Sequence, residues 1–427
     1  MNPMKRRTLS RTLSWAALFA LALVSQAARA ETYYLRAAQT TLSLPGGATT
    51  PMWGFALDSG AAVDDGTVTV PGPRLTVSPG QSLTVVLKNR LPASIPGVTT
   101  DVSILIPGVV PDADLNPVRN AGGRITSFTQ VTTPGNNGTY TWSNLPPGTY
   151  LYHSGTHPQV QVQMGLYGAV TKDSAAGEAY PGVFYDQDLL LLFSEVDLTL
   201  HASVDGGTYG TAPAPTSTMY YKPSYFLING KPFPEVPPVP AFSAGDQVLV
   251  RLVNAGIETH VPLFQGLYVR QVAETGNKLT YPRDTYSVVL GAGTTADALL
   301  LGPSSQLGGC TFPVFDRAMN LTNAAATGGG MLTYLSLTAG GPPPPRVGDT
   351  LMAVQGPGTV TLTWTDIPEA NFYRVYSSTT PGPADFTNLQ AVVSSGAVGA
   401  TLSLPPEPLV FFQVTGCVTC GAEGPQK

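Results

Sequence analysis

The sequence predicts an all-β protein made of several sandwich domains, and three observations support that fold class. The chain of 427 residues contains 46 glycines and 40 prolines, which interrupt helices but suit short strands joined by turns. Runs of alternating apolar and polar residues, rich in β-branched side chains, recur along the chain. The chain is also too long for one hydrophobic core, so two or three domains are expected.

Residues 1–30 have the pattern of a secretory signal peptide. Basic residues 5–7 precede an apolar run at 15–24, and Ala28-Arg29-Ala30 supplies small side chains before a cut at Glu31. The apolar run is too short to span a bilayer. The pair Arg6-Arg7 leaves a twin-arginine signal open as an alternative to the general secretory route. We therefore expect a bacterial protein that is exported to the periplasm or the medium.

The charge balance disfavours nucleic acid and anionic membranes as partners. Only 11% of the residues are charged, and loss of the signal peptide removes five basic residues and no acidic ones. Of the 22 Lys and Arg residues, 17 then remain against 27 Asp and Glu, so the mature chain is acidic. No later segment reaches the roughly 18 consecutive apolar residues of a membrane helix.

A strand pattern near the start of the chain occurs a second time further on. Residues 75–89 read as a strand, a Pro-Gly turn and a second strand, and residues 242–254 repeat that layout. The two copies end in Leu-Lys-Asn at 87–89 and Leu-Val-Asn at 252–254. We therefore predict two related β domains, at residues 31–173 and 185–340.

The remainder of the chain predicts a third, smaller domain. A Pro-rich linker at residues 341–346 cannot join a strand ladder and marks the boundary. Beyond it, a strand ending in Trp364, a second strand at 372–376 and a closing strand at 410–414 alternate in the same way. Residues 347–427 therefore resemble a fibronectin type III domain.

Three sets of motifs in the first two domains resemble the multicopper oxidase family, whose domains are cupredoxin-type β-sandwiches. The sharpest is Pro-Gly-Thr-Tyr-Leu-Tyr-His-Ser at 147–154, which runs on to Met-Gly-Leu-Tyr-Gly-Ala-Val at 164–170. The others are Pro-Gly-Pro-Arg-Leu at 71–75 with Leu-Lys-Asn-Arg-Leu-Pro at 87–92, and the runs at 226–231, 251–256, 315–317 and 329–332. The resemblance covers roughly residues 60–340 and implies a Greek-key sandwich for each of the two domains.

The same resemblance implies copper chemistry that this chain is poorly equipped to perform. The family reduces dioxygen with one copper held by Cys and two His and three coppers held by eight His, since imidazole nitrogens suit copper at these sites. The whole chain contains four histidines. Leu105 and Pro107 occupy the two positions of the family's first His-x-His pair. At the second pair His153 is kept, and Gly155 occupies the position of the second histidine. The His-Cys-His run and the third oxidase domain are missing as well.

The remaining candidates for metal binding are few. His153 and His157, with Met164 as a further donor, form a candidate residual copper or zinc site. The alternative is that His153 is structural and His157 lies on a surface loop. We expect His260 to be a hydrogen-bonded structural residue at a strand start, and His201 to be exposed on a strand.

The cysteine spacing predicts a disulfide in an exported protein. Cys417 and Cys420 are close enough in sequence for a local bond, which would leave Cys310 unpaired and buried. A bond from Cys310 to either of the others stays open.

These observations favour a non-catalytic scaffold or binding protein whose C-terminal domain contacts a protein or polysaccharide surface. No resident cofactor is expected, and copper at low stoichiometry is the alternative. That alternative would make the chain a copper-binding, storage or delivery protein, or an oxidoreductase with a reduced or intersubunit copper site. No hydrolase or nucleotide-binding motif is present in the sequence.

Overall fold

The computed structural model confirms the all-β fold class. The structure describes residues 30–112, 117–237, 239–243, 246–300, 310–338, 347–368, 370, 372–380, 386, 388–404 and 409–417. The predicted signal peptide, apart from Ala30, and the Pro-rich linker lie outside these residues. No helix within them is long and apolar enough to cross a membrane.

The first sandwich comprises residues 30–172. Its strands are β1 (Ala30–Ser43), β2 (Thr49–Asp58), β3 (Leu75–Val77), β4 (Ser82–Asn89), β5 (Val118–Arg119), β6 (Ile125–Ser127), β7 (Asn137–Trp142), β8 (Gly148–His153) and β9 (Tyr167–Lys172). A sheet in the order β2-β1-β4-β7 and a sheet in the order β3-β9-β8 enclose a core that includes Trp53, Leu83 and Tyr152. A single helical turn, α1 (Pro158–Gln161), follows β8.

The second sandwich comprises residues 178–337. Its strands are β10 (Glu178–Tyr180), β11 (Val183–Phe184), β12 (Gln187–Val196), β13 (Tyr225–Ile228), β14 (Val248–Asn254), β15 (Pro262–Phe264), β16 (Val269–Glu274), β17 (Asn277–Thr285), β18 (Thr295–Leu300), β19 (Thr311–Asp316), β20 (Thr322–Asn323), β21 (Ala326–Thr327) and β22 (Leu332–Ser336). The large sheet has the order β17-β16-β18-β14-β12-β13-β20-β21, and the small one β15-β19-β22. Their apolar faces meet around Phe193, Leu252 and Phe264.

The two copies of the repeated sequence pattern form equivalent strands. β4 pairs in parallel with β1, and β14 pairs in parallel with β12. Asn89 and Asn254, which end the copies, are both fully buried. Each side-chain oxygen accepts a hydrogen bond from the backbone N–H two residues later, at 3.0 Å and 2.8 Å. The shared asparagine is therefore explained by the same strand-ending turn in both sandwiches.

The C-terminal sandwich comprises residues 347–417 of the described chain. Its strands are β23 (Met352–Gly356), β24 (Thr359–Thr363), β25 (Phe372–Ser378), β26 (Asn388–Ser394), β27 (Gly399–Ser403) and β28 (Phe411–Cys417). Two three-stranded sheets, β23-β24-β27 and β26-β25-β28, pack around Trp364 and Tyr373, whose rings meet edge to face at 5.2 Å. Its resemblance to a fibronectin type III domain stays a prediction.

A helix of the second sandwich packs against the first, and it overturns the prediction for His201. Residues 198–205 form helix α2, which Asp197 caps by accepting hydrogen bonds from two N–H groups of its first turn. Leu200 and Val204 join the core of the first sandwich. His201 is also buried, and its Nδ1 is 2.8 Å from the carbonyl oxygen of Pro51. The alternating residues before it resemble a strand, but the cap and these contacts make the segment helical.

Cys310 is not the unpaired cysteine that the sequence suggested. It is buried in the core of the second sandwich and is disulfide-bonded. The side chains of Cys417 and Cys420 lie outside the described residues. Because the chain contains only three cysteines, a bond from Cys310 and the predicted bond between Cys417 and Cys420 cannot coexist in one chain.

Candidate functional site

The two predicted ligand pairs of the first sandwich lie side by side. Leu105 and His153 form an isolated antiparallel bridge, with backbone N–H to carbonyl distances of 2.8 Å and 3.0 Å in the two directions. Their side chains therefore lie on the same side of the bridge. Pro107 is exposed beyond the bridge and lines a small cavity that also borders Tyr150 and Thr275. The motifs that correspond to the family's two ligand pairs are thus neighbours in space, and only one of the four positions is a histidine.

At the position of Gly155 any side chain would meet close neighbours. A Cβ atom built there would lie 3.1 Å from Ser103 Oγ and 3.3 Å from Leu105 Cβ. The Gly155 N–H also donates a 3.0 Å hydrogen bond to Ser103 Oγ. Because protein interiors are close-packed, a ring at this position would displace both neighbours.

A buried network of hydroxyl groups fills the space next to these positions. Thr156 Oγ1 lies 2.9 Å from Ser103 Oγ and 3.0 Å from Ser127 Oγ, which in turn donates to the carbonyl oxygen of Thr129 at 2.8 Å. All four side chains are buried. Neutral hydroxyls that already bond to one another do not replace imidazole as copper ligands. These residues therefore do not fit the trinuclear copper cluster of the family.

The three candidate metal donors have different surroundings. His153 Nδ1 lies 2.8 Å from the carbonyl oxygen of Ser154, and burial lowers the pKa of its imidazole. Met164 is fully buried in the core of the first sandwich. His157 stands just before α1 in a left-handed conformation, with φ of 43°. Among the described residues, no three His, Cys, Asp or Glu side chains are placed to hold a metal ion.

Beside Gly155 the first sandwich contains a cavity of about 550 Å³. It is lined by Thr99, Asp101, Val118, Ile125, Thr126, Ser127, Phe128, Val131, Gly155, Thr156, His157, Pro158 and Gln159. Burial lowers the pKa of His157, whose ring packs edge to face against Tyr209 at 6.2 Å. This volume lies in the range of small-molecule sites, and the lining combines apolar walls with a few polar groups, as such sites do. No sequence pattern indicated this cavity, because its lining comes from segments that are separate along the chain.

A second group of titratable residues lies in the second sandwich. His260 bridges two carboxylates, with Nδ1 2.9 Å from Asp316 Oδ2 and Nε2 3.1 Å from Glu195 Oε2. Burial disfavours the imidazolium, but the hydrogen bonds and charges of both carboxylates outweigh burial and raise the pKa of His260 to about 9. All three side chains are fully buried. This group therefore joins β12 and β19 to the segment just before β15, as expected for a structural histidine.

Charged residues also join the first and second sandwiches. Arg251 is buried and donates to Asp188 and to Asp173 at 2.7 Å each, and Arg74 forms an ion pair with Asp188. Thr149 of β8 donates to Asp297 of β18 at 2.6 Å. Since Arg74, Thr149 and Asp173 precede the second sandwich, these bonds hold the two sandwiches in a fixed relation.

Comparison with known proteins agrees with the motifs and the fold. Residues 65–175 match the multicopper oxidase family model. This match includes the run at 147–154 and both ligand-pair positions of the first sandwich. No curated protein matches the sequence significantly.

Several solved copper proteins share the fold. Blue copper oxidase from Nitrosomonas europaea has a TM-score of 0.56 and 20% identity, over 72% of this chain and 86% of the enzyme. Copper nitrite reductase from the same organism has a TM-score of 0.53 and 22% identity, over 74% of this chain and 98% of that one. Fet3p, a multicopper oxidase that functions in iron import, has a TM-score of 0.51 and 15% identity, over 77% of this chain and 59% of that one. At these identities the likeness shows a shared cupredoxin-like architecture and not a shared activity.

Proposed function

We propose that this protein is an exported, non-catalytic binding protein with the architecture of a multicopper oxidase. The observation that carries the proposal is the packing around Gly155, where the hydroxyls of Ser103, Ser127 and Thr156 bond to one another beside the positions that correspond to the family's ligands. A chain with four histidines also cannot supply the eight that the family uses for its cluster. Export is supported by the signal-peptide pattern at residues 1–30.

Metal analysis of the purified mature protein tests this proposal. The chain is expressed in copper-supplemented medium, and copper is measured by mass spectrometry beside oxygen uptake with a phenol and with ferrous iron. We expect less than one copper per chain and no oxygen uptake above that of free copper. Three or more firmly bound copper ions together with oxygen uptake would overturn the proposal.

The same measurement also tests the alternative proposal, which is a reduced or intersubunit copper site. The observation in its favour is that His157 is half-buried and its ring has no hydrogen bond among the described residues. One copper per chain that is lost in a His153→Ala, His157→Ala double variant would support copper binding or delivery. Copper retained by that variant would place the metal elsewhere.

We further propose that the C-terminal sandwich contacts a polysaccharide or protein surface. In support, two of its four edge strands expose apolar side chains, Val354 on β23 and Val392 on β26. Polysaccharide binding is tested by sedimenting the full chain with insoluble polysaccharides and comparing it with the Val354→Lys and Val392→Lys variants. Binding that both substitutions leave unchanged would exclude these strands as the contact.

A further inference from the structure

Two polar side chains of the cavity beside Gly155 form no bond within the described part of the chain. Neither the Asp101 carboxylate nor the His157 imidazole has a hydrogen-bond or ion-pair partner among the described residues. The charged cluster between the two sandwiches is internally paired, since Arg251 bonds to both Asp173 and Asp188. A cavity with unpaired polar groups is therefore a stronger candidate for a ligand site than that cluster.

The electrostatics of the cavity select the charge of its ligand. Among the described residues that line it, Asp101 is the one carboxylate and no Lys or Arg is present. Arg119 and Arg124 lie on the neighbouring β5–β6 hairpin, but Arg119 is bonded to the Gly123 carbonyl and neither lines the cavity. An anion would meet only like charge at this site. A ligand with a single positive charge would give Asp101 the partner that the fold does not supply.

The apolar residues of the lining favour an apolar group in the rest of the ligand. Val118, Ile125, Phe128 and Val131 belong to the lining, and the side chains of Ile125 and Phe128 are 44% and 51% exposed. Apolar side chains exposed at the mouth of a cavity gain free energy when a ligand covers them. The exposed ring of Phe128 also offers a surface on which an aromatic ring or an ammonium group can pack.

The polar groups Ser127, Thr156 and His157 of the cavity lining are held in place before any ligand binds. Ser127 and Thr156 are fixed by hydrogen bonds to Ser103 and to each other, so they do not collapse into the space. His157 keeps a left-handed backbone that is unfavourable for a residue with a side chain, and such strain concentrates at binding sites. Contact with Tyr209 orients its imidazole.

From these observations we infer that the cavity binds a small protonated amine that carries an aromatic or other apolar group. The ammonium group donates to the Asp101 carboxylate, and the apolar body covers Ile125 and Phe128. The inference rests on the proposed role as a binding protein, which it makes specific for one class of ligand.

Three probes of matched size test the inference by calorimetry on the full mature chain at pH 7: 2-phenylethylamine, 2-phenylethanol and phenylacetate. We expect the amine to bind at least about tenfold more tightly than the alcohol, since a hydrogen bond to a charged group adds this much affinity. Phenylacetate should not bind. Equal affinity for the amine and the alcohol, tighter binding of phenylacetate, or no binding of any probe at millimolar concentration would each overturn the inference.

Variants then locate the binding. Asp101→Asn should reduce the affinity for the amine to that for the alcohol, while Phe128→Ala should weaken both. Asp205→Asn, which removes an exposed carboxylate of α2 outside the cavity, is the matched control and should change neither. A charge preference that survives Asp101→Asn would overturn the inference, and circular dichroism verifies that each variant is folded. Failure here would leave the copper measurements unaffected, so the two proposals can fail separately.

Discussion

Replacing His260 by glutamine is expected to change the pH dependence of stability between pH 6.5 and 9. In the folded protein, Asp316 and Glu195 hold the pKa of His260 at about 9, against about 6.5 in an unfolded chain. Below pH 6.5 both states are protonated, and the stabilisation is fully present. As the pH rises toward 9 the unfolded chain loses its proton first, so the free energy of unfolding falls.

The size of this decrease in the free energy of unfolding follows from the pKa difference of His260 between the folded and unfolded states. Each unit of pKa difference corresponds to about 1.4 kcal/mol, so the loss between pH 6.5 and 9 is about 3 kcal/mol. His260→Gln removes the titrating group and leaves Glu195 and Asp316 buried without a cation. It should cost about 3–5 kcal/mol at pH 6.5 and should abolish this part of the pH dependence.

Urea unfolding followed by circular dichroism at half-unit steps from pH 6 to 9.5 measures both effects. The tryptophans Trp53, Trp142 and Trp364 lie in the other two sandwiches, so their fluorescence would not report on the second. The difference between the two proteins isolates His260 from other titrating groups, including the neighbouring Glu258, whose pKa burial raises. Parallel pH profiles of the two proteins would refute the assignment of a charged imidazole.

Two further predictions concern the first sandwich and the helix that packs against it. Gly155→Ala should destabilise the protein by about 1–3 kcal/mol, because the new Cβ would lie 3.1 Å from Ser103 Oγ; an unchanged urea midpoint would contradict the packing. Burial lowers the pKa of His201 to about 4, so the unfolded chain takes up a proton below pH 6.5 while the folded protein does not. The stabilisation is therefore fully present above pH 6.5, and about 3 kcal/mol of the free energy of unfolding is lost as the pH falls from 6.5 through 4. His201→Gln should remove this loss in urea titrations at acid pH. An identical loss in that variant would exclude His201 as its cause.

Much of the architecture was visible in the sequence because it depends on local patterns. Period-two alternation, frequent turns and the repeated Leu-x-Asn ending predicted the sandwiches and their internal similarity, since strand faces and strand-ending turns are set by neighbouring residues. The positions that correspond to the family's ligands could also be predicted, because Leu105 and His153 belong to motifs with fixed spacing.

Residue type and spacing also misled at particular positions. The leucines before His201 alternate as in a strand, yet the Asp197 cap and the first sandwich select a helix. Cys310 has no partner nearby in the sequence, but it is disulfide-bonded in the fold. In both cases contacts between residues far apart along the chain decide the outcome, and no local rule contains them.

Composition and local patterns alone determined that this chain is a set of β-sandwiches, and its motifs resemble a family whose copper centres use more than the four histidines present here. Only the tertiary structure decided what surrounds the positions that correspond to the family's ligands. The hydroxyl network comes from Ser103, Ser127 and Thr156, and the cavity from segments that include Asp101, Phe128 and His157. Residues that are distant in sequence line one cavity only when the fold of the whole chain brings their segments together.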